Sequence, residues 1–124
     1  MILVDSSIWV DHIRAPDVHL SALLADRRVL MHPFVIGEVA LGAIRTRAQV
    51  LRSLHDLPEV VVARDSEVLG LIDSNALFGI GIGYVDAHLL ASCRLTPGAR
   101  LWSRDKRLAA AAGRLNVGGG PPLQ

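Results

Sequence analysis

The chain has a single cysteine, a single lysine, only five Trp, Tyr or Phe residues, no long uninterrupted apolar run and almost no net charge. Each scarcity excludes something. The lone Cys93 rules out an intramolecular disulfide and a thiolate metal cluster within one chain, and it suits a reducing cytoplasm. The longest uncharged stretch, Ser74 to Val85, is short and broken by glycines, so no membrane span is expected. The opening apolar residues stop at Asp5 with no basic region before them, too early for a secretory signal. A net charge of +1 excludes a bulk polycation that clings to any nucleic acid. Trp9, Phe34, Phe78, Tyr84 and Trp102 sit among apolar residues and form no evident base-stacking platform.

What is present fits one globular domain: 124 residues, half of them apolar and a fifth charged. The domain is expected over residues 1–117, followed by a flexible Gly/Pro tail over 118–124. The apolar tilt suggests surface left for a partner or a second copy. Met1 to Val4 shows no polar alternation and predicts a strand buried on both faces, the signature of a parallel sheet covered by helices. Val29 to Met31, Val60 to Val62 and Arg100 to Trp102 are read as three more strands. Helices are predicted from about Ile8 to Ile13, Val18 to Ala25, Phe34 to Ala43, Ala48 to Leu57, Val68 to Leu77, near Tyr84 to Cys93, and Lys106 to Ala112. Ser6 or Ser7 is the expected cap of the first helix, and Asp65 or Ser66 that of the fifth. The run Gly79-Ile-Gly-Ile-Gly83 lacks both the preceding strand and the third glycine of a dinucleotide cradle. It reads instead as a loosened loop that delivers Tyr84-Val85-Asp86 to a new helix.

Four acids stand out. Asp5 and Asp105 follow strands, Asp86 opens a helix, and Glu38 lies on or beside an apolar helix face. In a parallel sheet ligands bind beyond the carboxyl ends of the strands, and distant strand ends can be neighbours there. Helix capping alone would also account for Asp5, and the helix dipole for Asp86. If the four converge, their repulsion calls for divalent cations, and carboxylates without Cys or a His pair select hard ions such as Mg²⁺ or Mn²⁺. Such ions support hydrolysis at phosphorus. The remaining chain then carries thirteen positive charges, twelve of them arginine, against eight negative. Arg45, Arg47, Arg104, Lys106 and Arg107, close in sequence to Glu38 and Asp105, are candidate phosphate contacts. His12, His32, His55 and His88 lack ligand spacing and are assigned to surface or packing rather than metal. Asp11 could assist a metal-bound water, although a solvent-facing helix acid is the simpler role.

The blocks Ile2-Leu-Val-Asp5-Ser-Ser-Ile-Trp-Val-Asp11-His, Val35-Ile-Gly-Glu38-Val-Ala-Leu-Gly42, Ile82-Gly-Tyr-Val-Asp86-Ala and Leu101-Trp-Ser103-Arg-Asp105-Lys-Arg-Leu108 resemble those of the PIN-domain nucleases. Within that family the set is most similar to the VapC toxins of toxin–antitoxin modules. The resemblance spans nearly the whole chain and implies an α/β fold with a central parallel sheet sandwiched by helices. It implies Asp5, Glu38, Asp86 and Asp105 as catalytic acids and metal ligands. Ser103, where the family often has threonine, would be a hydroxyl that orients Asp105 or a metal-bound water; Ser6 or Ser7 matches the polar residue after the first acid. The implied activity is that of an Mg²⁺- or Mn²⁺-dependent endoribonuclease in the cytoplasm. A VapB-type antitoxin would silence it with a segment bearing a basic side chain, and the toxin would pair as a homodimer. Two other readings compete. One is a catalytically silent PIN-like binding module, against which all four acids are present. The other is a receiver-like phosphoacceptor built on Asp5 and Lys106, which lacks the second acid at the first strand. A haloacid-dehalogenase phosphatase needs Asp-x-Asp, and Asp5-Ser-Ser7 refuses it.

Overall fold

The computed structural model describes residues 1–120. The chain runs β1 (Ile2–Val4), α1 (Ser6–Arg14), α2 (Val18–Ala25), β2 (Val29–Leu30), α3 (Pro33–Ala40), α4 (Arg47–His55), α5 (Asp65–Ser74), α6 (Tyr84–Leu95), β3 (Arg100–Trp102) and α7 (Lys106–Arg114). The three strands form one parallel sheet in the order β2-β1-β3, with Leu3 opposite Leu30 on one side and Leu101 on the other. Successive strand residues point to opposite faces, and Ile2, Leu3 and Val4 are all buried, so helices cover the central strand on both sides. Leu20, Val35, Leu89, Leu90 and Leu108 from four helices join β1 in one core.

The predicted strand over Val60 to Val62 does not form. Only an isolated bridge between Met31 and Glu59 extends the sheet there, and Val61 and Val62 are exposed. Helix α6 takes the backbone bonds a neighbouring strand would have supplied. The Val61 amide donates to Oγ1 of Thr96, the C-cap of α6, at 2.9 Å, and the Ala63 amide to Ser92 Oγ at 3.1 Å. Val60 keeps one bond to the sheet, its amide donating to the Met31 carbonyl at 3.0 Å, while Val61 and Val62 have no strand partner.

Helix ends also move. Asp5, not Ser6 or Ser7, is the N-cap of α1, and Arg64 rather than Asp65 or Ser66 precedes α5. Helix α3 stops at Ala40, ahead of the predicted Ala43. His32 and Pro33 do more than end a strand: the His32 ring caps α3 through the Phe34 amide at 3.0 Å, and Pro33 opens the helix, where its missing N–H costs nothing.

Gly118 and Gly119, expected to belong to a flexible tail, lie against the sheet. Gly118 bridges Leu101, and the Gly119 amide donates to the Leu101 carbonyl at 2.9 Å, extending the edge of the sheet beyond β3. Glycine is required by close approach, since a Cβ on Gly119 would sit 2.6 Å from that of Arg100. The rest of the predicted tail, residues 121–124, lies outside the described residues.

The loop before α6 has the freedom expected of its glycines, with φ of 74° at Gly79 and 86° at Gly81. At Gly81 a Cβ would also lie 2.7 Å from Arg107 Nη1, because the arginine folds over the loop. Gly81→Ala should therefore cost about 1–2 kcal/mol from the left-handed backbone alone. A melting midpoint within a degree of the parent's would contradict the strain assigned to this turn.

Candidate active site

Strands β1 and β3 are neighbours, and the Asp5 amide donates to the Trp102 carbonyl at 2.9 Å. That pairing brings Ser103 to Asp5 across nearly a hundred residues of chain. Asp5 is the most buried of the four acids, and its carboxylate accepts three hydrogen bonds. Oδ1 accepts the Ser6 amide at 2.8 Å, while Oδ2 accepts the hydroxyls of Ser103 at 2.8 Å and Ser7 at 3.1 Å. Capping and site roles thus coexist in one side chain. Ser103 Oγ in turn accepts the Asp105 amide at 3.0 Å, so one hydroxyl ties the acid after β1 to the acid after β3. Asp105 caps α7 through Oδ1, which accepts the amides of Arg107 at 2.9 Å and Leu108 at 3.2 Å.

Glu38 does not lie on the buried face of α3. Val35 and Val39 are buried, while Glu38 stands at the exposed rim and accepts the Ser6 hydroxyl at 3.1 Å. Asp86 is half-buried in the first turn of α6, and its Oδ2 accepts the Gly83 amide at 3.1 Å. Ser6 and Ser7 thus act as ties to Glu38 and Asp5 rather than as caps.

Charge joins the set. Desolvation holds the Glu38 carboxyl above its ordinary range, opposed by the Ser6 hydrogen bond and reinforced by the negative charges of Asp5 and Asp86. Desolvation likewise raises Asp86, opposed by the Gly83 amide and reinforced by Asp5 and Asp105. Asp86 therefore lies within the field of all three other acids. Among the described residues, however, no three His, Cys, Asp or Glu side chains close directly into a cage that could hold a metal ion. The donors are all hard oxygens, which fits Mg²⁺, an ion that keeps several waters and takes only one or two carboxylates directly.

The basic residues separate. Arg104 pairs with Asp17 at 3.0 Å and Asp11 at 3.4 Å, which places Asp11 in a surface ion pair. The Arg47 guanidinium bonds the Ala40 carbonyl, and Arg107 lies over Gly81. Arg45 and Lys106 are exposed with no ion pair among the described residues. The histidine assignment to packing holds for His32 and His88, both buried. His32 is kept neutral, with burial pulling its pKa down to about 4, and its Nε2 lies 3.2 Å from Ser92 Oγ. Cys93 is buried, which pushes its thiol up to about 12 and removes it as a thiolate ligand.

One cluster escaped the sequence reading. Asp65 Oδ1 accepts the Tyr84 hydroxyl and lies 2.9 Å from both that oxygen and His88 Nε2. No spacing pattern announces it, because α5 and α6 meet only in the folded chain. A separate apolar groove, lined by Trp9, Ile13, Leu24, Val50, Leu54 and Leu57 among others, contains none of the four acids.

A parallel sheet with acids gathered past the carboxyl ends of β1 and β3, and from α3 and α6 beside them, defines the class. The PIN domain family model matches residues 2–114, and the chain belongs to that family. More narrowly, it is similar to Ribonuclease VapC32 of Mycobacterium tuberculosis, in strains CDC 1551 / Oshkosh and ATCC 25618 / H37Rv. Identity to each is 50% over 117 residues, covering 94% of this chain and 94% of the relative. Family membership displaces the receiver-like reading built on Asp5 and Lys106. No helix of the described residues is long and apolar enough to cross a membrane.

Proposed function

We propose that this chain is an Mg²⁺- or Mn²⁺-dependent endoribonuclease and the toxin of a VapBC-type toxin–antitoxin pair, acting in the cytoplasm. The observation that carries this reading is Asp5, buried at the end of the central strand and tied through Ser103 to the backbone at Asp105, with Glu38 and Asp86 both raised chiefly by desolvation and further by the charges of the neighbouring acids. The likeness to a named ribonuclease over almost the full chain supports the same substrate class. The nuclease unit is residues 1–117 with the two glycines that continue its sheet edge.

Asp5, Glu38, Asp86 and Asp105 would hold the cation. When bound, the ion supplies a lowered water pKa and positive charge opposite the phosphate. Ser103 keeps Asp5 and the backbone at Asp105 in fixed relation, and Ser7 and the Ser6 amide hold Asp5 from the other side. Such positioning removes reorganisation from the chemical step. In the absence of a cation, Glu38 and Asp86 retain protons above the usual carboxylate range. Arg45, Arg47, Lys106 and Arg107, which form no ion pair among the described residues, are the candidate cations left to meet RNA phosphates.

A VapB-type antitoxin bearing a basic side chain would relieve the same like-charge repulsion and so silence the site. Exposed Leu41 and Phe78 leave apolar surface for a homodimer or for that antitoxin. The test is an end-labelled structured RNA incubated with the full chain in chelator, Mg²⁺ or Mn²⁺, with cut ends mapped by sequencing. Discrete internal cuts that require the ion and disappear in Glu38→Gln are expected. Undiminished cutting in chelator would sink the metal reading, and no cutting with either ion would leave a silent binding module.

A further inference from the structure

We propose that Asp65 is a positioning residue, clamping the first turn of α6 so that Asp86 is held within the acid cluster; this rests on the metallonuclease reading above. Helix α6 needs an outside restraint. It emerges from the glycine loop, and its N-cap, Gly83, has no side chain with which to close the turn. The hydrogen bond that does close it is donated by the Gly83 amide to the carboxylate of Asp86 itself. The carboxylate required by the site is thus also the one steadying the turn that carries it.

Asp65 supplies the restraint from α5. Its Oδ1 receives the Tyr84 hydroxyl and the His88 ring, each at 2.9 Å, and these residues stand one helical turn apart on either side of Asp86. The Asp65 carboxylate can only accept, so the hydrogen of the His88 contact is on Nε2. His88 is almost fully buried, its Nδ1 has no partner, and its ring packs against Phe34 at 4.7 Å and edge-on to Tyr84 at 4.8 Å. The bond to Asp65 is this side chain's only polar contact among the described residues. Asp65 is not needed by its own helix, whose first turn is closed by Glu67 accepting the Arg64 amide at 2.9 Å. A carboxylate at the start of one helix, spent wholly on the start of another, fixes how the two helix ends meet.

The test uses the full chain with Asp65→Ala, which removes both bonds, and Asp65→Asn, which keeps an acceptor oxygen. Asp73→Asn, an exposed acid on the same helix, is the control. Mn²⁺ binding is read from loss of the free-ion paramagnetic resonance signal, and amide hydrogen exchange is followed over residues 84–87. Asp65→Ala should bind Mn²⁺ about tenfold more weakly and exchange these amides faster, in keeping with the loss expected when support behind a ligand is removed. Asp65→Asn and the control should stay within about twofold of the parent on the same scale. Parental affinity and exchange in Asp65→Ala would overturn the clamp while leaving the metal reading intact, provided Asp5→Asn still abolishes binding. Equal weakening in Asp65→Asn would also overturn it, since charge rather than bonding would then be responsible. If the parent binds no Mn²⁺, the metallonuclease reading falls and exchange alone decides the clamp. Should Asp65→Ala not fold, Tyr84→Phe removes one of the two bonds at an exposed ring, and parental exchange there would refute the proposal.

Discussion

Asp5→Asn should abolish RNA cleavage, by on the order of a hundredfold or more, while the protein folds and melts normally. Loss of a partner behind a metal ligand already costs about 10- to 100-fold, so loss of charge on a ligand itself belongs at or beyond the upper end. The fold should survive because asparagine caps helices as well as aspartate and keeps an oxygen for the Ser6 amide. On the other side the new amide nitrogen meets two hydroxyls, Ser7 and Ser103, which can rotate from donating to accepting. Single-turnover cleavage of a labelled RNA, alongside a melting curve, separates the two effects. Activity within twofold of the parent would show that Asp5 is a helix cap and no more. Ser103→Ala should fall between, at about tenfold loss, since it removes one of the two hydroxyls on Asp5 Oδ2 and the acceptor of the Asp105 amide without removing a charge.

How far the site could be read beforehand depended on how local its logic was. Asp5, Asp86 and Asp105 each stand at the start of a helix, and two of them follow apolar strands, so short windows exposed them. Glu38 was conspicuous because it breaks an apolar run, and of the two places open to it, on or beside the apolar face, it takes the rim of α3 beside that face. Ser103 was legible as a hydroxyl beside Asp105, yet its stronger tie is to Asp5, which only the β1–β3 pairing creates. Asp65 was invisible for the same reason, its partners belonging to another helix. The fold divided likewise. β1 and β3 were clear as apolar runs, whereas Val60 to Val62 has strand composition but stops pairing after Val60, the next amides of Val61 and Ala63 going to the side chains of Thr96 and Ser92. Glycines at 118 and 119 suggested a tail, although here their lack of a side chain admits close packing, of Gly118 against the α7 backbone and of Gly119 against β3.

A reversal of stability is the largest effect expected of the acids as a group: Asp86→Asn should melt higher than the parent in chelator and lower than the parent in saturating Mn²⁺. Metal-free, the parent holds Asp86 in the field of Asp5 and Asp105, partly desolvated, so its ionised form opposes folding. Folded-state pKa values for Asp86 and Glu38 lie above their unfolded values. Their stabilising contribution is therefore fully present below the ordinary carboxylate range and is lost as pH rises through the raised values toward neutrality. Asp17 works in the opposite sense. The Leu20 amide, aided by Arg104, lowers its pKa, so its contribution is present above the ordinary range and fades as pH falls through the lowered value. The metal-free parent should be most stable within the ordinary carboxylate range, and Asp86→Asn should flatten the decline on the alkaline side. A cation that binds only the folded state offsets that decline at neutral pH. At a hundredfold excess over its dissociation constant it stabilises by about 2.7 kcal/mol, a large share of a typical domain's 5–15 kcal/mol. Removing one carboxylate sacrifices much of this gain and relieves the repulsion, and only the two changes together invert the order of melting. Exposed acids cannot produce such an inversion, because water and salt screen them. Melting series in chelator and in rising Mn²⁺, at fixed ionic strength and at several pH values, test both halves, with Asp73→Asn following the parent throughout. If parent and Asp86→Asn shift in parallel with Mn²⁺, the cation does not reside among these acids, and the repulsion between them is not what it relieves.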